Sequence, residues 1–296
     1  MTVASVTLSA MIPILGGLGA ALMFTVSVLT SARASRLIGS ASSVAWAMAI
    51  GLVVTLPFGL ITSPNPDFGH DALPWFLGAG LGNVCGLLLT YAAYRVGAVA
   101  VVVTIASTEG AIAAVLAVLA GELLAPGTGA ILAIIAIGVV VTATGTSSGA
   151  EGTPLVPGQA LKAVLLAVAS AACFGVGLYS SGRLSTLLPI PWAILAPRLV
   201  GTVLVALPMV ATRRIRLTRA AAPYVVGIAF AEIFGYISYT LGAREGIAIA
   251  AVLSTLFAPL SAVAAYILFR ERLAFRQIAG IALVVVGTAV LSAVQS

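Results

Sequence analysis

Apolar residues in this chain come in runs of about 20, divided by short polar stretches, and the runs follow one another along the whole sequence. At 1.5 Å per residue, roughly 20 apolar residues of helix cross the ~30 Å hydrocarbon core of a bilayer. The pattern predicts ten spans, at residues 9–31, 40–62, 73–94, 97–119, 127–147, 160–182, 191–211, 220–242, 246–268 and 275–294. Hydrocarbon offers no partner to a backbone N–H or C=O, so each span is predicted to be a helix. Barrel strands would alternate over short segments, and these runs are too long and too continuously apolar for that. Tight hairpins are expected around Arg95 and Gly97 and around Arg244 and Gly246.

The pattern repeats at an offset of 149 residues. Pro74 recurs as Pro223, Gly78 as Gly227, Gly86 as Gly235, Arg95 as Arg244, Glu122 as Glu271 and Gly138 as Gly287. At an offset of 150, Phe24, Ser31, Arg33 and Ser35 pair with Phe174, Ser181, Arg183 and Ser185. Two halves follow: residues 1–147, a Gly- and Pro-containing connection at 148–159, and residues 160–296. Five spans per half is an odd number, so the second half enters the membrane in the opposite sense. The expected fold is an all-α integral membrane protein of ten transmembrane helices, arranged as two inverted five-helix repeats around a central cavity. With both repeats in one chain, a monomer is the expected state.

Loop charge fits opposite-facing repeats. The loop between spans 2 and 3 carries Asp67, His70 and Asp71, whereas its counterpart between spans 7 and 8 carries Arg213, Arg214, Arg216 and Arg219. The face opposite the termini collects 11 of the 14 basic residues. By the positive-inside rule that face is cytoplasmic and the termini lie outside. The same rule accounts for the net charge of +6. The arginines sit in separate short loops, so nucleic acid is not an expected partner; the bilayer is. Cys85 and Cys173 fall inside apolar spans and read as packed thiols. Gly78, Gly82 and Gly86 are spaced for close helix packing, and Trp75, Trp192 and Tyr224 open spans where aromatic anchors belong.

Two carboxylates lie deep in apolar spans, Glu109 in span 4 and Glu232 in span 8. Such groups are costly in hydrocarbon and mark a wet cavity or a binding function; alternatively they glue helices as paired or neutral acids. Tyr236 and Tyr239 follow Glu232 at i+4 and i+7 on one helical face, a credible site for an amine with an apolar side chain. The equivalent face of span 3 carries Asn83. Glu109 maps by 149 onto a face of span 9 bearing Ser254 and Ser261. These residues are the candidate substrate-binding set: Glu232, Tyr236, Tyr239, Asn83, Glu109, Ser254 and Ser261. Thr104, Ser107 and Thr108 form a further polar patch, whose hydroxyls are expected to bond their own helix. Pro259 is expected to kink span 9 and serve gating. Arg198 either snorkels to the interface or meets a carboxylate, of the protein or of the substrate. The sequence offers no metal-ligand spacing, phosphate-binding loop or nucleophile elbow, so no metal, cofactor or catalytic residue is expected.

Gly121-Glu122-Leu123-Leu124 after span 4, Arg270-Glu271-Arg272-Leu273 after span 9 and Leu256-Phe257-Ala258-Pro259-Leu260 within it resemble the EamA-type members of the drug/metabolite transporter superfamily. The likeness covers nearly the whole chain, and the YddG-like amino-acid exporters are the nearest branch. It implies a multi-pass protein of the bacterial inner membrane. It also implies a cavity lined by spans 1, 3, 4, 6, 8 and 9, with spans 5 and 10 outside. The family pattern places the termini in the cytoplasm, opposite to the loop charges. It also has a proline where this chain has Glu109-Gly110.

The expected function is therefore secondary export of amino acids or similar small amphipathic metabolites by alternating access. The alternatives are a multidrug or lipophilic-cation carrier and a nucleotide-sugar carrier. The latter would need several cavity Lys or Arg, which the spans scarcely contain. An integral-membrane enzyme or a scaffold is the reading from a different class. An enzyme would need His, Asp or Cys clustered at one face, and a scaffold would not need two buried glutamates.

Overall fold

Backbone polar groups must pair within the bilayer, and the chain meets this demand with helix throughout. The computed structural model describes residues 3–94, 96, 99–144, 157–269 and 275–295. Helix makes up 85% of it and no strand occurs among the described residues, which fixes the all-α class. The elements are α1 (Val3–Ile38), α2 (Ser40–Thr62), α3 (Ala72–Tyr94), α4 (Val99–Ala106), α5 (Glu109–Leu119), α6 (Thr128–Thr144) and α7 (Pro157–Leu187). There follow α8 (Ile190–Gly201), a π-turn (Thr202–Ala206), α9 (Leu207–Ala211), α10 (Ala222–Ala243), α11 (Ile247–Ser254), α12 (Phe257–Phe269) and α13 (Phe275–Gln295). Six segments are long and apolar enough to cross a membrane, namely α1, α2, α3, α7, the run Ile190–Ala211 and α10; four more are shorter and apolar.

Three of the predicted continuous spans are interrupted. Span 4 breaks at Ser107 and Thr108, and span 9 breaks at Thr255 and Leu256. At the first break the Ser107 hydroxyl donates to the Thr104 carbonyl at 2.8 Å and the Thr108 hydroxyl to the Ile105 carbonyl at 2.7 Å. At the second, Ser254 and Thr255 hydroxyls donate to the carbonyls of Ala251 and Val252 at 2.8 and 2.7 Å. Each pair supplies donors to carbonyls near the interruption. The second break falls where Pro259 acts: it has no N–H for the Thr255 carbonyl four residues back, so the ladder is interrupted there and restarts as α12, with Pro259 in its first turn. Span 7 widens into the π-turn, closed by the Leu207 N–H on the Thr202 carbonyl. Pro208, next in sequence, cannot continue the ordinary ladder.

The predicted connection at 148–159 is shorter than expected at its far end, because α7 begins at Pro157, a residue suited to a first helical position. Residues 148–156, the hairpin residues Arg95 and Gly97, the side chain of Tyr94 and the 270–273 motif lie outside the described residues.

Helices pair through small residues. Gly78, Gly82 and Gly86 on α3 all face α7, meeting Ser180, Gly177 and Phe174. On the other pair, Gly227 and Gly235 of α10 meet Thr30 and Phe24 of α1. The contacts Gly86–Phe174 and Gly235–Phe24 exchange under the sequence offset, as do Gly78–Ser180 and Gly227–Thr30. Gly138 of α6 abuts Gly280 and Val284 of α13, while Gly287 meets Ile135. Trp75 stacks edge-on against Tyr179 beneath the Arg183 guanidinium. Trp192 is buried and donates to the Ser63 carbonyl at 2.9 Å, so it fastens the loop after α2 and does not face lipid. Both cysteines are free thiols.

Helix ends are also satisfied across the bundle. The Arg244 guanidinium donates to the carbonyls of Ser185 and Leu188 at 2.7 and 3.1 Å, closing the end of α7. The Glu122 carboxylate, in the loop after α5, accepts the N–H groups of Ile247 and Ala248 at 3.1 and 3.0 Å. It thus caps α11 from another element. Burial pushes the Glu122 carboxyl above its ordinary value of 4.5, against the two N–H donors that pull it down.

Glu122→Ala is expected to lower stability by about 1 kcal/mol in thermal unfolding of the detergent-solubilised protein, and Glu122→Gln by less, since the amide oxygen still accepts a bond. The folded carboxyl holds its proton more tightly than the unfolded one. Its contribution is thus fully present below the ordinary value and lost as pH rises through the raised one. The wild type should lose stability relative to Glu122→Gln as pH rises above 4.5.

Candidate functional site

Five helices bring polar side chains together at one point. α10 supplies Glu232 and, one turn on, Tyr236; α8 supplies Arg198; α3 supplies Asn83; α1 supplies Ser27 and Phe24; α2 supplies Met48 and Gly51. Arg198 Nη1 donates to Glu232 Oε2 at 2.8 Å and lies 3.8 Å from Met48 Sδ. The guanidinium carbon sits 5.0 Å from the centre of the Tyr236 ring, a cation–π arrangement. Asn83 Nδ2 donates to the Tyr236 hydroxyl at 2.7 Å, and Ser27 Oγ lies 3.4 Å from Glu232 Oε1. Phe24 meets the Tyr236 ring edge-on at 5.5 Å. Gly51 makes room for the arginine, since a Cβ there would lie 2.7 Å from Arg198 Cδ.

The pair is unevenly exposed. The Arg198 side chain is 1% accessible and that of Glu232 is 24% accessible. Arg198 Nη2 is buried with no hydrogen-bond partner among the described residues. A guanidinium keeps its charge in any protein environment, so burying it demands a counter-charge. Glu232 supplies that charge while presenting part of its carboxylate to the space beside it. The arrangement can therefore offer an acceptor to an ammonium group, with a further N–H donor behind it and two aromatic rings alongside.

The remaining sequence candidates are distributed differently. Tyr239 is fully buried and its hydroxyl donates to the Leu178 carbonyl at 2.8 Å, linking α10 to α7. Ser254 is buried with its hydroxyl on its own helix. Glu109 is the first residue of α5, immediately after the break. Gly110, beside it, abuts the Ala251 carbonyl and Thr255 methyl, so the interruptions of spans 4 and 9 pack on each other. Ser261 Oγ is buried without a hydrogen-bond partner among the described residues.

Sequence reasoning left Arg198 between two fates and did not single out Met48, Gly51 or Ser27. The offset of 150 carried the signal. It maps Met48 onto Arg198 and Gly51 onto Gly201, and the structure pairs Gly51 with Arg198 and Gly201 with Met48. The offset of 149 likewise maps Asn83 onto Glu232. Equivalent positions meet at one point, and in the pairs Met48/Arg198 and Asn83/Glu232 only the second-half member is charged.

Because the Arg198 side chain is 1% accessible and that of Glu232 24%, the arginine left alone has no water to replace its partner while the glutamate does, and the two removals should differ. Glu232→Ala is expected to cost about 3–5 kcal/mol, Arg198→Met distinctly less, and the double substitution less than Glu232→Ala alone. Chemical unfolding of the solubilised protein measures all three.

Comparison with known proteins agrees with this architecture. The model of the EamA-like transporter family matches residues 11–144 and 161–293. No curated protein matches. A solved crystal structure, described only as that of a protein, superposes with a TM-score of 0.76 at 20% identity, covering 94% of this chain and 96% of that one. At that identity the likeness concerns the fold alone. The family match takes in most of the chain, from within α1 to α6 and again from within α7 to α13, so the protein belongs to the EamA-like transporter family, a multi-span membrane fold of the drug/metabolite transporter superfamily.

Proposed function

We propose that this transporter exports amino acids or similar small amphipathic metabolites across the bacterial inner membrane, by alternating access between two inverted halves. One observation carries the reading: a partly accessible carboxylate, Glu232, held by an arginine with an unused donor and flanked by Tyr236 and Phe24. A zwitterion matches both charges. Its ammonium group replaces part of the Arg198 contact at Glu232, and its carboxylate takes the free Nη2 of Arg198. Tyr236, fixed by Asn83, receives the apolar side chain. Glu109 and Ser261 belong to the same pathway on the span 4 and span 9 side, and the two helix interruptions supply the give that rocking requires. Tyr239 and Ser254 serve the pathway indirectly by holding helices in register.

Counterflow in proteoliposomes with a panel of labelled amino acids tests this. Wild-type protein should accumulate several of them, Glu232→Gln should lower uptake at least about tenfold through loss of one charge contact, and Tyr239→Phe should leave uptake near wild type. Each variant must run as a folded monodisperse species. Uptake of lipophilic cations alone, abolished by Glu232→Gln, would instead favour a cation exporter. Uptake of amino acids unaffected by Glu232→Gln would remove that residue from the pathway.

A further inference from the structure

A second charged feature lies far from the Glu232 cluster, on the membrane face opposite the chain termini. There the turn between α1 and α2 meets the segment after α9 and encloses an open depression of about 770 Å³. Arg36, Arg213, Arg214 and Arg216 line it, together with the backbone around Gly39–Ser42. No acidic residue lines it. Four arginines around one depression with no carboxylate among its lining residues make it locally positive, and an anion there meets favourable charge.

The loop is held so that its arginines stay there. The Arg216 N–H donates to Ser42 Oγ at 3.2 Å, and Trp46 Nε1 donates to the Arg216 carbonyl at 3.0 Å. Both contacts tie the loop to the first two turns of α2. Arg213 has φ of 52°, the left-handed region. Its N–H bonds the Val210 carbonyl, and the Arg214 N–H bonds the Met209 carbonyl, the pattern that ends many helices with glycine at this position. An arginine stands where the backbone favours glycine, and the conformation directs Arg213 and Arg214 from the end of α9 into the same loop.

The surroundings say which anion fits. Leu37, Leu207 and Val210 are 46%, 55% and 54% exposed next to the arginines. They continue the lipid-facing surface of α1 and α9 up to the basic group. A ligand with a phosphate head and acyl chains satisfies both parts; a free anion satisfies only one. We infer that this depression binds the phosphate headgroup of an anionic phospholipid, with the acyl chains lying along α1 and α9. The Arg guanidinium pairs phosphate oxygens in bidentate fashion, so the site recognises phosphate by geometry as well as charge.

Native mass spectrometry of the full solubilised chain, titrated with phosphatidylglycerol and separately with phosphatidylcholine, tests the site without reference to transport. Wild-type protein should retain phosphatidylglycerol at least about tenfold more tightly. Arg213→Gln/Arg214→Gln/Arg216→Gln should lower that retention about 100-fold, at several-fold per arginine. Arg213→Lys/Arg214→Lys/Arg216→Lys, which keeps the charge and loses the fork, should fall between wild type and that variant, and an unchanged thermal unfolding midpoint in both triple variants shows that the losses do not come from misfolding. Arg219→Gln, which removes a loop charge outside the depression, should change retention less than twofold. Equal retention of the two lipids, or an equal loss in Arg219→Gln, would overturn the site. Displacement of the lipid by millimolar inorganic phosphate, with phosphate itself retained, would overturn the lipid assignment in favour of a soluble anion.

Discussion

A guanidinium with 1% of its surface accessible must be matched by a charge that does not leave. That constraint organises the centre of this protein. Glu232 is the counter-charge, Gly51 is small because the arginine stem passes over it, and Tyr236 turns its ring face toward the cation. Asn83 in turn fixes the Tyr236 hydroxyl. Removing any of these leaves a buried charge or a buried void. The chain spends its few intramembrane charges at a point where α1, α2, α3, α8 and α10 meet. An ion pair placed there ties the helices together.

The hydrocarbon imposes a second constraint, that helices may break only where the freed backbone groups find partners. Spans 4 and 9 break at nearly equivalent places, and in both the hydroxyls of adjacent Ser and Thr residues bond carbonyls one turn back. The breaks pack on each other through Gly110. Interruption thus costs little in backbone pairing. Glu122 extends the same logic to a helix end, capping α11 from the loop that follows α5.

Much of the fold was legible in the sequence because lipid forces it there. Runs of about 20 apolar residues leave little choice but helix, and Glu232 stood out because an acid in such a run is costly. What the hydropathy pattern hid was continuity. Ser107, Thr108, Ser254 and Thr255 are compatible with an unbroken helix, and hydropathy does not register a hydroxyl that bonds its own backbone. Pro259 did mark the interruption of span 9, because it has no N–H for the Thr255 carbonyl four residues back. The helical wheel put Tyr239 on the face of Glu232, but it carries no sign that the hydroxyl is taken up by the Leu178 carbonyl of another helix. The partner of Arg198 was out of reach of any local pattern. It lies 34 residues away on a different helix, and only the internal repeat, read as a map of which positions face one another, pointed toward that meeting point.

The account turns on Glu232 exchanging a protein cation for a substrate cation. Isotope-edited infrared difference spectroscopy of the reconstituted protein, with the glutamate side-chain carboxylates labelled and Glu232→Gln used to assign the band, observes that carboxylate directly. Addition of a transported amino acid should shift the Glu232 carboxylate stretch, and the shift should be absent in Glu232→Gln. A Glu232 band that stays unchanged while the same preparation carries out counterflow would contradict the account.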